Sequence, residues 1–372
     1  MKRIGTLFAA AMAACLGIAQ PATARAVTDC PLRDAPFSVD SPIIDILLSP
    51  QAKAVLDRAT NSRFSKFPPG FMGTTPPTFA AILNLRVGAG FSGLKDDKLK
   101  AIDAELRAVP VTAADRIARC ARYDNDTPKF QLPAGKPHVL VFEKINGFKD
   151  TPSVDAGHAA LEAMAVRKGW ALVFTDKGGA FNARTLGQFN AVIWNNVSGD
   201  ALTLSQRRAF QRWMEQGGGF VGIHGSAGDP AWFWDWYADT LLGARFIGHP
   251  MNPQFQDARV VVETTDPKFA AAPREWVMSD EWYSFRKSAR LNGATVIARL
   301  DESTYKPDGM MGQNLRMGDD HPIAWMRCVG KGRVFYSAIG HRPETYTNAN
   351  NLALLEGGIT AVMDKSGRCP AH

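Results

Sequence analysis

The chain has 372 residues, 43 Lys+Arg against 36 Asp+Glu, 45% hydrophobic residues and 10% aromatic residues. That is material for a sizeable core, which excludes a disordered or low-complexity chain. The length suits two domains, or one large domain with an appendage. There is no cluster of five or more basic residues and no basic helix, so a nucleic-acid or membrane-surface partner has no support.

Lys2 and Arg3 precede an apolar stretch from Ile4 to about Ala19, Pro21 breaks it, and Ala24-Arg25-Ala26 is a small-x-small site. This is the layout of a secretory signal peptide cleaved after Ala26, with a periplasmic or secreted product. The alternative is a lipoprotein acylated at Cys15, although Met12-Ala13-Ala14 lacks the usual leucine. The apolar run is short for a permanent transmembrane anchor. Cleavage removes Lys2, Arg3 and Arg25 and no acids, so the net charge falls from +7 to +4. It also removes Cys15 and leaves four cysteines. The expected pairs are Cys30–Cys120, bracketing an N-terminal unit, and Cys328–Cys369, pinning the C-terminal tail to a strand. A cysteine in a disulfide is not a nucleophile.

Residues 27–133 read as a small α-helical module. Ile43 to Thr60 carries apolar residues at helical spacing, and helices follow over Leu94–Ala108 and Thr112–Arg122. Thr112 and Asp115 have the spacing of a capping box. Asp124-Asn125-Asp126-Thr127-Pro128 and Leu132-Pro133-Ala134-Gly135 read as the linker.

Residues 134–366 read as an α/β domain. His138–Phe142, Trp170–Phe174, Ala191–Trp194 and Phe220–Ile223 are apolar without alternation, and helices over Pro152–Lys168 and Thr203–Gln216 lie between them. Such strands form a mostly parallel sheet covered on both faces, with ligands beyond the strands' carboxyl ends. Beyond Arg259 the strands are short: Arg259–Glu263, Thr295–Leu300, Ile323–Arg327 and Val334–Ser337. The last two flank the hairpin signal Gly330-Lys331-Gly332, and Leu352–Met363 is a closing helix. These strands form an antiparallel extension. No GxxxxGK[ST] is present, and the GxGxxG spacings at Gly88–Gly93 and Gly217–Gly222 do not lead from a strand into a helix, so nucleotide binding has no support.

His224, His249, His321 and His341 each neighbour a glycine or proline, and His224 directly follows a strand. Acids lie close by: Asp280-Glu281 opens Trp282-Tyr283-Ser284-Phe285-Arg286, Asp320 adjoins His321, and Glu344 is three residues after His341. A carboxylate beside an imidazole orients it, raises its basicity or shares a metal with it. A divalent, zinc-like cation on His224, His249 and His321 is compatible with these ligand types, although no HxH, HExxH or CxxC signals one. Trp232-Phe233-Trp234-Asp235-Trp236-Tyr237 is dense in aromatics. On a helix Trp232 and Trp236 would share a face, offering a stacking platform for a sugar or a contribution to the core.

Several motifs carry a family resemblance. They are Val141-Phe142-Glu143-Lys144 with Gly147-Phe148, Gly217-Gly218-Gly219-Phe220-Val221-Gly222-Ile223-His224, Gly248-His249-Pro250 and Asp280-Glu281-Trp282-Tyr283-Ser284-Phe285-Arg286. Leu300-Asp301-Glu302-Ser303-Thr304-Tyr305, Asp320-His321-Pro322-Ile323-Ala324-Trp325, Gly332-Arg333-Val334-Phe335-Tyr336 and Gly340-His341 with Glu344-Thr345-Tyr346 complete the set. In this order they resemble the ThuA-like (trehalose utilisation) family. The resemblance implies a flavodoxin-like sheet related to class I glutamine amidotransferases. His224 stands where those enzymes keep a nucleophilic cysteine, so glutaminase chemistry is not expected. The family's Gly-Phe-Arg-His loop is here Gly147-Phe148-Lys149-Asp150, so one family histidine is missing.

The resemblance implies a small-molecule sugar as ligand, a (3-keto-)disaccharide or glycoside, acted on by a hydrolase, lyase or isomerase. In that reading His224 or His341 is the base, Glu281 or Asp320 protonates the leaving group, and a metal or Arg286 holds the enolate oxygen. His321 assists, and Trp232, Trp282, Tyr283, Arg286 and Glu344 bind substrate. The alternatives are a non-catalytic carbohydrate-binding protein on the same scaffold and an amidotransferase-like hydrolase using Ser226.

Overall fold

The structure, a computed structural model, describes residues 26–366 and Cys369. The expected signal peptide and acylation site lie outside the described residues. Among those described, no helix is long and apolar enough to cross a membrane.

The N-terminal region is helical: α1 Ile43–Leu48, α2 Pro50–Thr60, α3 Pro69–Met72, α4 Leu85–Ser92, α5 Asp96–Arg107 and α6 Ala113–Cys120. The single helix expected over Ile43–Thr60 is two. Ser49 is extended and its side chain caps α2, while Pro50 at the first turn of α2 cannot continue α1. Helix α4 was not expected, because Gly88 and Gly90 weaken its sequence signal. Its Asn84 cap, which accepts from the Val87 N–H at 2.8 Å, supplies the start. The Thr112–Asp115 capping box forms.

Strands β1 His138–Phe142, β2 Ala171–Thr175, β3 Ala191–Asn195, β4 Gly219–Ile223 and β11 Gly332–Ser337 are parallel. Strands β6 Phe255–Val262, β7 Glu275–Glu281, β9 Thr295–Asp301 and β10 Pro322–Val329 extend them antiparallel. The nine strands run in the order β2-β1-β3-β4-β11-β10-β9-β6-β7. Strands β5 Phe246–Gly248 and β8 Ser284–Phe285 form a separate pair. The other helices are α7 Thr151–Lys168, α8 Ala183–Leu186, α9 Leu204–Glu215 and α10 Ala349–Met363. Strand β7 was missed from sequence. Its Ser279-Asp280-Glu281 end is polar, and one side of the strand carries the exposed Val277. Both expected disulfides are present, Cys30–Cys120 and Cys328–Cys369.

One apolar cluster fills the α/β region and a second fills the helical region. The two are joined by polar contacts: Thr78 N–H to Asn146 C=O at 3.1 Å, Ala231 N–H to Ile82 C=O at 3.1 Å, and Leu204 N–H to Asp29 C=O at 2.9 Å. The expected linker residue Asp124 also fastens them, accepting from the Gly178 and Gly179 N–H groups and pairing with Lys144.

Close helix–sheet packing depends on Gly358 in α10, where a Cβ would lie 2.2 Å from Cδ1 of the fully buried Phe335. Alanine gains about 1 kcal/mol of helix propensity there. Overpacking costs about 1–3 kcal/mol and the boxed-in ring cannot yield. Gly358→Ala is therefore expected to lower the thermal midpoint; a raised midpoint would show that α10 shifts freely.

Candidate active site

The strand directions bring the ends of β4, β11 and β7 and the start of β6 to one edge of the sheet. His224 follows β4, His341 lies four residues after β11, and Glu281 closes β7. In a flat sheet β4 and β7, five strand spacings apart, would be about 24 Å from each other. His224 Nε2 is instead 3.4 Å from Glu281 Oε2. The antiparallel half therefore curls back over the parallel half, helped by register irregularities between β9 and β10.

His224 occupies the strand-end turn with φ 36°, a left-handed backbone that costs a non-glycine residue about 1–3 kcal/mol. The Tyr336 hydroxyl donates to its carbonyl at 2.8 Å. Its Nδ1 lies 2.6 Å from the Ala338 carbonyl, which can only accept. Nδ1 therefore carries the proton, and the Nε2 lone pair faces inward. There it meets His341 Nδ1 at 3.2 Å, and His341 Nδ1 is 3.1 Å from Glu281 Oε2.

Three donor atoms thus form a triangle with edges of 3.1, 3.2 and 3.4 Å. Hydrogen bonding fills it poorly, since one proton on His341 Nδ1 can serve only one of two neighbours. A tetrahedral cation with bonds of 2.0–2.1 Å has ligand–ligand edges of about 3.3 Å. Among the described residues, these three are the group placed to hold a metal ion. The set expected from sequence, His224, His249 and His321, does not assemble. His321 is fully buried, with Nδ1 2.7 Å from Glu302 Oε1 and Nε2 2.8 Å from the Tyr283 carbonyl.

Neighbours fix this geometry. Gln254 Nε2 donates to Glu281 Oε1 at 2.5 Å, and His249 Nδ1 lies 3.2 Å from the same oxygen, leaving Oε2 for the two histidines. Asp280 accepts from the backbone N–H groups of Gly340 and Arg342 at 2.7 and 3.1 Å, which sets the His341 loop. Burial raises the pKa of Asp280. Burial also opposes ionisation of Glu281, but its contacts with the imidazoles of His224, His341 and His249 hold it well below the usual carboxylate range. Burial disfavours the His341 imidazolium, yet Glu281 prevails and raises its pKa.

Other sequence candidates are engaged elsewhere. Asp320 pairs with Arg290 at 3.2 Å on the surface, Arg286 is exposed, and Glu344 is an exposed partner of Arg342. Trp282 is fully buried and gives its N–H to the Gln256 carbonyl. Tyr283 lies tilted at 4.1 Å from His224, so it does border the cluster. The expected aromatic helix starts only at Trp236, as a π-helical turn, and Trp232 precedes it. Trp234 and Trp236 stack on each other and pack edge-on to Phe210, and this ring packing outweighs local helix formation. Trp232 lies against Tyr237 at 5.9 Å. Ser226 gives its hydroxyl to the Trp194 carbonyl inside the core. In the divergent Gly147-Phe148-Lys149-Asp150 loop, Asp150 caps α7 and Phe148 stacks on His341 at 5.8 Å. Gln254, Asp280, Phe148 and Phe255 at the site were not singled out as site residues from sequence.

A family model described as trehalose utilisation (ThuA) matches residues 138–360. The chain belongs to the ThuA family. The described α/β region also resembles a solved ThuA-like protein from Bacteroides uniformis at 24% identity and TM-score 0.52, covering 65% of this chain and 98% of that one. A ThuA-like protein from Parabacteroides merdae matches at 14% identity and TM-score 0.43, over 64% and 92% of the two chains. A glutamine amidotransferase from Thermotoga maritima matches at 12% identity and TM-score 0.37, over 61% and 98%. No curated protein sequence matches the chain. ThuA membership points to a carbohydrate-related role. The helical module, residues 27–133, lies outside the matched ThuA segment.

Proposed function

We propose that the protein is an exported enzyme that cleaves or rearranges a glycoside, with 3-keto-disaccharides and related 3-keto-glycosides as its substrate class. The observation that carries the reading is the convergence of His224 Nε2, Glu281 Oε2 and His341 Nδ1 at one strand edge. The two disulfides and the apolar, basic-headed N-terminus support export. These three residues would hold a divalent cation, whose charge would stabilise the negative charge that develops on the ketone oxygen as the C2 proton leaves. His249 is the base in this reading. Its Nδ1 faces two acceptors, the Pro250 carbonyl at 3.0 Å and Glu281 Oε1 at 3.2 Å, so Nδ1 is protonated and Nε2 has a free lone pair. The 3-ketone acidifies the C2–H bond. His249 takes that proton, the electron pair becomes the C1–C2 double bond, and the glycosidic C–O bond breaks. The His249 imidazolium then returns the proton to the departing oxygen. Asp320 has no part in this scheme, and Glu281, held ionised, is unsuited to be the acid.

The test is turnover of 3-keto-disaccharides by the purified mature protein, followed by NMR with and without chelator. Turnover that chelator abolishes, and that His224→Ala and His341→Ala each lose, is the expected result. Full activity in both variants would sink the assignment. Binding without turnover would make this a carbohydrate-binding protein.

A further inference from the structure

The helical module reaches the mouth of the candidate site with a run of phenyl rings. Phe67 stacks on Phe71 at 6.1 Å, Phe71 on Phe79 at 4.7 Å, and Phe79 meets Phe148 at 5.0 Å. Phe148 in turn stacks on His341, and Phe255 lies tilted at 5.2 Å from that imidazole. Phe67, Phe71, Phe148 and Phe255 are each 38–47% exposed. Contiguous exposed rings of this kind are unusual on a protein surface unless something binds there.

The run is held in place. Thr78, 1% exposed, gives its hydroxyl to the Phe71 carbonyl and accepts from the Gly73 N–H, both at 3.2 Å, while its own N–H anchors to Asn146. Gly147, the residue before Phe148, meets the module so closely that a Cβ would lie 2.4 Å from Ile82 Cγ2. The two halves of the run are thus locked together before any ligand arrives, which lowers the ordering cost of binding.

We propose that this run is a subsite for an aromatic aglycone, so that the module selects aryl glycosides. The proposal rests on the glycoside reading of the histidine–carboxylate cluster and adds the identity of the leaving group. The chemistry of the rings decides the occupant. A second sugar could lay only its C–H face on the rings, and its hydroxyls would lose water along the phenyl edges without gaining partners. An aryl group loses no hydrogen bonds there and gains offset stacking. Continuity with His341 sets the orientation, with the sugar at the cluster and the aryl ring on Phe148, Phe79 and Phe71.

Binding is read apart from turnover, with 4-fluorophenyl glucoside as probe and 19F line broadening on the full mature protein. Phe71→Ala and Phe79→Ala are expected to raise the dissociation constant about two- to tenfold. Leu291→Ala, which removes a still more exposed apolar side chain outside the run, is expected to leave it unchanged. Equal affinity in the wild type and both ring variants, or no binding by the wild type, overturns the subsite. Absence of turnover with ring-dependent binding intact would instead remove the enzymatic reading and leave the subsite standing.

Discussion

Glu281→Gln is expected to reduce turnover by at least about 10–100-fold while the protein stays folded. The side chain is 2% exposed and both of its oxygens are committed, Oε1 to Gln254 and His249, Oε2 to His224 and His341. Glutamine keeps the volume, so no cavity forms. It removes the negative charge and turns one oxygen into a donor. If the amide nitrogen replaces Oε2, it adds a donor to a triangle that needs lone pairs. If it replaces Oε1, it confronts the Gln254 amide. Either way a cation held here would lose its only anionic ligand among the three. The same variant is therefore expected to lose bound divalent metal, read by elemental analysis after dialysis. Retained metal with lost turnover would assign Glu281 to proton transfer rather than ligation. Retained turnover would remove the cluster from the chemistry.

The elements of the parallel half were legible because each carries its own signal. An unbroken apolar run such as Val139–Phe142 needs a sheet covered on both faces, and glycine after Lys168 ends α7. The cluster was only half legible. His224, His341 and Glu281 stood out by residue type and by their place beside glycines or aromatics. Their meeting depends on the curl that brings β7 to β4, a property of nine paired strands and not of any local segment. Gln254 neighbours Glu281 through the pairing of Phe255 with Glu281 between β6 and β7. Without β7 recognised, no sequence signal pointed to Gln254. His321 misled for the opposite reason. A buried imidazole held by Glu302 and a carbonyl has the same local pattern, Asp-His-Pro, as a reactive one. Trp282 misled likewise, since an aromatic next to a functional acid serves equally well as its buried wall.

Replacing Cys30 and Cys120 with serine is expected to destabilise the helical module by about 4–5 kcal/mol. The residues are 90 apart in sequence, and in the chain-entropy picture a cross-link closing such a loop contributes that amount. The module has little in reserve. Its apolar cluster is small, and total stabilities of about 5–15 kcal/mol are the rule for whole domains. Other ties resist the loss. Arg119 donates to the Leu32 and Ala35 carbonyls at 2.7 Å and lies over the Phe37 ring, and Arg122 forms a buried ion pair with Asp45 at 2.6 Å. These hold the segment after Cys30 once it is folded, but they do not restrict the unfolded chain as the disulfide does. The α/β region keeps its own core and its own Cys328–Cys369 bond. Denaturant unfolding of the double variant should therefore split into two steps, the module first. Because Phe67, Phe71 and Phe79 belong to that first step, aryl-glucoside binding should disappear with it, at a denaturant concentration where the tryptophans of the α/β core still report a native environment. A single unshifted transition would mean that docking onto the sheet, rather than the cross-link, holds the module together.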